Sequence, residues 1–127
     1  MVIEELCVGD WVFILGLGEA ELKGVSTDDW GNDFVNACGE VYYQTVEDCK
    51  GIQLTPFVLE KIGFSKTKRV WSAAGQQGYE LPDTGLKLET SNGLDWSPIG
   101  CPHIVVKYVH ELQHLMRLCK IEKEVKL

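Results

Sequence analysis

Long apolar runs are missing from this 127-residue chain, and with them any helix of the roughly 18 apolar residues needed to span a bilayer. No membrane partner is expected. Paired cysteines are missing too. Cys7, Cys38, Cys49, Cys101 and Cys119 are odd in number and widely spaced, with no Cys-x-x-Cys motif. That argues against a disulfide framework or a zinc ribbon and for free thiols in a reducing compartment. The opening Met-Val-Ile-Glu-Glu-Leu lacks the basic and apolar regions of a secretory signal, so a cytoplasmic location is expected. Positive charge is scarce at the start: residues 1–50 hold eleven Asp/Glu and two Lys/Arg, for −9, whereas residues 51–127 hold eight and ten, for +2. A strongly acidic first section repels phosphate backbones, which argues against nucleic acid as its partner. No cofactor motif occurs, and no cofactor is expected.

What is present is ordinary globular material, 45% apolar and 24% charged, enough for one domain or two very small ones. The spacing of turn residues predicts an α+β chain in two parts. Residues 1–50 read as a small acidic antiparallel subdomain, with strands at 8–15, 21–26, 34–38 and 40–46. Short strands joined by turns suggest a small curled sheet or barrel. The Gly9-Asp10-Trp11-Val12 opening resembles the first strand of SH3-like barrels of the Tudor or KOW kind, a likeness covering about 50 residues.

Residues 51–127 read as a helix–antiparallel sheet–helix unit. Thr55 and Pro56 suit the cap and first position of a helix over about 56–62, stopped by Gly63, with Phe57, Val58 and Ile62 or Leu59 turned inward. Antiparallel strands are predicted within about 69–97, at 69–74, 79–81, 86–90 and 94–96, with Ser91-Asn92-Gly93 as a hairpin turn. Leu86, Leu88 and Thr90 alternate with Lys87 and Glu89, as in a half-exposed strand. A loop at 98–102 leads to a longer helix over about 106–119, and 121–127 is a frayed end or a last edge strand.

That longer helix contains the one sharp motif, His110-Glu111-Leu112-Gln113-His114, which fits the H-E-x-x-H pattern of zinc metalloproteases. In that reading His110 and His114 hold zinc and Glu111 is the catalytic base. Helical geometry points elsewhere. Tyr108, Val109, Leu112, Leu115, Met116 and Cys119 share an arc about 120° wide, the apolar stripe of a helix lying on a core. His110 and His114 are predicted to face away from it, beside Gln113 and Arg117, and to meet solvent. A zinc enzyme also needs a third protein ligand and an open position, and no third His follows in the extended pattern. A surface His pair is the preferred reading, and no metal is expected.

Other clusters give blander signals. Asp10, Asp28, Asp29 and Asp33 invite a cation reading but lack the ligand spacing of a calcium loop, so solvated acids are expected. Trp30 with Asp28, Asp29 and Asp33 forms the candidate partner-binding group. Trp11, Trp71 and Trp96 are further anchors or core residues. Lys61, Lys66, Lys68 and Arg69 make a modest basic group, and His103 beside Cys101 offers too few ligands for a metal.

Two stretches carry a family resemblance. Gly51-Ile-Gln-Leu-Thr-Pro-Phe-Val-Leu-Glu-Lys-Ile-Gly-Phe64, followed some 40 residues later by Val106-Lys-Tyr-Val-His-Glu-Leu-Gln-His-Leu, resembles a family of small uncharacterised proteins. They are common in Bacteroides-type bacteria and their phages and mobile elements. Leu6 to Val12 resembles the same family's opening. The resemblance implies no established activity. Glu111 and His114 stand where the family pattern has Gln and Asn, which weighs further against a zinc site.

The preferred expectation is therefore a noncatalytic accessory protein of phage or mobile-element type that binds an unknown protein partner. A nucleic-acid-binding module around Lys61 to Arg69, an acidic inhibitor that imitates nucleic acid, and a zinc metallohydrolase are the alternatives. The oligomeric state is not legible.

Overall fold

A computed structural model describes residues 5–37, 43–67, 77–101 and 103–127. The chain is α+β and divides into two compact units, Met1–Ile52 and Gln53–Leu127.

The first unit is one five-stranded antiparallel sheet in the order β4-β3-β2-β1-β5. Its strands are β1 (Trp11–Ile14), β2 (Gly18–Thr27), β3 (Asp33–Ala37), β4 (Tyr43–Thr45) and β5 (Cys49–Gly51), and a 3-10 turn at Val46–Asp48 precedes β5. β1 has the alternation of a half-covered strand: Val12 and Ile14 are buried, Phe13 exposed. β2 is long because it serves two partners. Gly18 to Glu21 pair with β1, and Leu22 to Thr27 pair with β3. The register slips between Leu22 and Gly24. A bulge of this kind bends a strand and increases its twist, so the sheet curls there. Leu6, Val12, Ile14, Ala20, Leu22, Val35, Ala37 and Cys49 form the core of this unit. β5 was not expected from the sequence, and its pairing with β1 returns the fifth strand to the first. β4 and β5 remain the sheet's two edges, and no closed barrel forms among the described residues. The junction between the predicted strands at 34–38 and 40–46 lies outside the described residues.

The second unit opens with α1 (Pro56–Ile62). Thr55 Oγ1 accepts the Val58 N–H at 3.2 Å, Pro56 takes the first helical position, and Gly63 ends the helix at φ 121°. The inward face differs in part from expectation. Leu59 and Ile62 are buried, but Phe57 is 70% exposed with the Lys61 ammonium 5.7 Å from its ring centre. In so short a helix a single stripe is covered, and Phe57 falls outside it.

A four-stranded antiparallel sheet follows in the order β6-β7-β8-β9: β6 (Ser65–Lys66), β7 (Gln77–Glu80), β8 (Lys87–Thr90) and β9 (Ser97–Pro98). Leu88 and Thr90 are buried while Lys87 is exposed, as the alternation predicts. Of the predicted strand at 94–96, Leu94 and Asp95 belong instead to a turn held by Asn92, whose side-chain oxygen accepts their N–H groups, each at 2.9 Å, while Trp96 pairs in an antiparallel bridge with Val106. Trp96 is fully buried. It packs edge-to-face on Tyr79 at 5.6 Å and donates its indole N–H to the Leu54 carbonyl at 3.0 Å. The predicted strand at 69–74, with Trp71, lies outside the described residues. α2 (Val109–Leu118) is shorter than the 106–119 expected, because Val106 is used in a bridge to Trp96. Residues 121–127 form no strand. No helix among the described residues is long and apolar enough to cross a membrane.

Candidate functional site

The H-E-x-x-H pentapeptide occupies the first turns of α2, and this position decides what its residues do. Glu111 is the third residue of the helix. Its Oε1 accepts the N–H groups of Lys107 at 2.9 Å and Tyr108 at 3.1 Å. Those donors have no intrahelical acceptor, so the carboxylate closes the N-terminus as the Glu of a capping box does. Its negative charge is also well placed against the helix dipole. The sequence offers the same carboxylate for capping or for base chemistry, and in the structure it caps.

The imidazoles are not where the stripe argument places them. His110 is buried at 3% exposure and Gln113 at 7%, while His114 is half-buried. The expectation of two outward-facing imidazoles is corrected for His110. Its reason is the extent of covering: Val109, His110, Leu112, Gln113, Leu115 and Met116 are all buried. At 100° per residue they occupy about 220° of the helix circumference, far more than a single stripe. Three rings run along this helix start. Tyr108 stacks on His110 at 5.8 Å with planes 6° apart, and His110 meets His114 edge-on at 5.9 Å. The helix therefore brings the two histidines together as part of an aromatic ladder. Among the described residues of the second unit, no group of three His, Cys, Asp or Glu ligand atoms includes His110.

The group Trp30, Asp28, Asp29 and Asp33 is brought together at the tip of the β2–β3 hairpin. Asp28 organises it. Oδ1 accepts the N–H groups of Trp30 at 2.9 Å and Asn32 at 2.8 Å, and Oδ2 accepts the Asn32 side-chain amide at 3.1 Å. The Asp28 N–H donates to the Asn32 carbonyl at 2.9 Å, and Thr27 Oγ1 donates to Asp33 at 2.7 Å across the hairpin neck. Hydrogen bonds from Asn32, above all from its backbone, hold the Asp28 carboxyl below the usual Asp range, with smaller help from Trp30 and Gly31. On this stapled loop Trp30 is 87% exposed. A shallow groove of about 290 Å³, lined by Ser26, Thr27, Asp28 and Phe34, lies on the same hairpin. Trp11 is half-buried and Trp96 wholly buried, which leaves Trp30 as the displayed tryptophan among the described residues. Asp10 belongs elsewhere. It is fully buried, and its Oδ2 accepts the Cys7 N–H at 2.8 Å in the turn before β1.

Lys61 and Lys66 are exposed, while Lys68 and Arg69 lie outside the described residues. Cys101 is half-buried and His103 exposed. A basic feature that the sequence reading missed lies at the other end of α2, where Arg117, Lys120, Ile121, Glu122 and Lys123 line an open groove of about 520 Å³. Its only sequence signal is the mixed-charge stretch from Arg117 to Lys126, which reads as a solvated end. No protein-family model, curated protein or solved structure matches this chain.

Proposed function

We propose that this chain is a noncatalytic binding module, of the accessory kind carried by phages and mobile elements, that engages a protein partner through the β2–β3 hairpin tip. The observation that carries the reading is Trp30, 87% exposed on a loop fixed by the Asp28 hydrogen bonds. Loops that only connect strands have no need of a large aromatic, and an indole left in water forgoes the burial that stabilises most tryptophans. A rigidly presented aromatic loses little entropy on binding and is the commonest kind of interface hot spot. Asp28, Asp29 and Asp33 surround it within a section carrying −9, so the complementary partner surface is basic.

Two further observations support the reading. Glu111 is committed to the cap of α2, which disfavours base catalysis through His110-Glu111-Leu112-Gln113-His114. The meander of four strands, with β5 returning to β1, is how a small curled sheet approaches closure, and it favours an SH3-like architecture for the first unit.

The test is binding of the whole chain to an array of Arg- and Lys-rich peptides, followed by titration of the best binder. Trp30→Ala is expected to weaken that interaction about 30-fold or more, as loss of a 2 kcal/mol hot spot does, without lowering the melting temperature. Affinity should also fall as salt rises. Absence of any binder, or a Trp30→Ala chain that binds unchanged, would overturn the proposal.

A further inference from the structure

We infer that the groove at the C-terminal end of α2 is a binding site for phosphate groups, with Arg117, Lys120 and Lys123 as the recognising cations. It does not depend on the reading of the hairpin tip.

Charge is the first observation. Of the five residues lining the groove, three are cationic and one, Glu122, is acidic. The lining thus has the opposite sign to a chain of net charge −7. An anion drawn to this molecule is drawn here by local groups, against the overall field.

The second observation is the backbone of Lys120. α2 closes in a Schellman arrangement: Ile121 N–H donates to the Met116 carbonyl at 2.8 Å, and Lys120 N–H to the Arg117 carbonyl at 3.0 Å. That closure requires a left-handed residue after the cap, and Lys120 supplies it at φ 57°. Glycine is the ordinary occupant because it has no Cβ to clash. This chain uses glycine for eight other described positive-φ positions, and the one other exception is Asp83, a residue type that tolerates this region. Lysine stands at position 120 against the local backbone preference, and its side chain puts on the groove a charge that glycine would lack.

The third observation concerns Lys123. A Cβ on Gly63 would lie 2.9 Å from the Lys123 ammonium, and Gly63 itself sits at φ 121°. The missing side chain at the end of α1 leaves room for the Lys123 ammonium and its adjoining methylene, and the exposed Lys123 carries its charge at the groove. Arg117, one turn back on α2, adds a planar guanidinium suited to phosphate oxygens.

A purely structural account exists: cations at a helix C-terminus offset its dipole. In that account Lys120 stands where it does to offset the α2 dipole and needs no ligand, and the two accounts part experimentally. The full chain is titrated with tripolyphosphate and, separately, with a labelled ten-nucleotide single strand, at 50 and 200 mM salt. Saturable binding is expected with at least one probe. If the strand neutralises its charge on three cations, its affinity falls about 20-fold between the two salts. Tighter binding of tripolyphosphate assigns the groove to small phosphorylated molecules, and tighter binding of the strand assigns it to a nucleic-acid backbone. Lys120→Gly should raise the melting temperature by about 3 °C while weakening the better probe at least tenfold. Glu122→Gln should tighten it about threefold by removing the one opposing charge. Failure of both probes to saturate at 50 mM salt overturns the inference, as does a Lys120→Gly chain that binds unchanged or melts lower.

Discussion

Removing the Glu111 carboxylate leaves two backbone donors, Lys107 N–H and Tyr108 N–H, without the acceptor they have now. Loss of a helix cap costs about 1 kcal/mol, which in a domain of this size lowers the melting temperature by about 3–5 °C. Glu111→Ala should show that loss by thermal denaturation. Glu111→Gln should lose less, because glutamine at the third helical position still reaches the same donors. A catalytic base behaves differently, since Gln would be as inactive as Ala and neither need change stability. Metal analysis addresses the same residue from the other side. One tightly bound zinc per purified chain, absent from His110→Ala, would restore the metallohydrolase reading and displace the capping role from its central place.

The β2–β3 hairpin is held by a carboxylate that must stay ionised. Asp28 has a lowered pKa because Asn32 N–H, first of all, donates to its charged form. A group with a depressed folded-state pKa contributes its stabilisation above its unfolded value and loses it as pH falls through the folded value. The loop should therefore be ordered at neutral pH and loosen only below about 3.9, the ordinary Asp value. The Trp30 and Asn32 amide resonances report this directly: they should move toward unstructured positions in acid, and Asp28→Ala should move them at neutral pH. Amides that stay fixed in that variant would show that other contacts hold the tip.

Elements differed in how far the sequence announced them. α1 was legible because its determinants are local: Thr55 caps, Pro56 starts and Gly63 stops, each by its own backbone chemistry. Lys87 to Thr90 was legible because alternation marks a strand with one covered face. β5, β6 and β9 were not. Cys49-Lys50-Gly51, Ser65-Lys66 and Ser97-Pro98 are too short to carry a period, and they exist as strands only through their neighbours. Of the two candidate groups, the hairpin tip could be named from Trp30 and its acids, since turn chemistry and exposure go together. The burial of His110 could not, because a polar residue off the main stripe reads as solvated until the tertiary covering is known. Lys120 was equally hidden, as nothing local marks a lysine as left-handed.

At the scale of the molecule the dominant feature is the uneven charge, −9 in residues 1–50 against +2 in the remainder. Such a field acts over a Debye length of about 8 Å in physiological salt and governs encounter more than final affinity. An aromatic anchor of the kind proposed at Trp30 would govern the opposite quantity, since loss of a hot spot buried on binding shows in the rate of dissociation. For a basic partner seated on the hairpin tip, the two contributions should therefore separate. Glu19 and Glu47 are exposed acids of the first unit outside the Trp30 loop. Replacing both with glutamine should slow association about two- to threefold at low salt, with the difference vanishing near 0.5 M, and leave dissociation unchanged. Trp30→Ala should do the reverse, speeding dissociation with little change in association. Stopped-flow or surface-immobilised kinetics with the best peptide from the array would measure both constants. If the Glu19/Glu47 variant instead dissociates faster, those acids touch the partner, and the contact extends beyond the hairpin tip to the sheet that carries it.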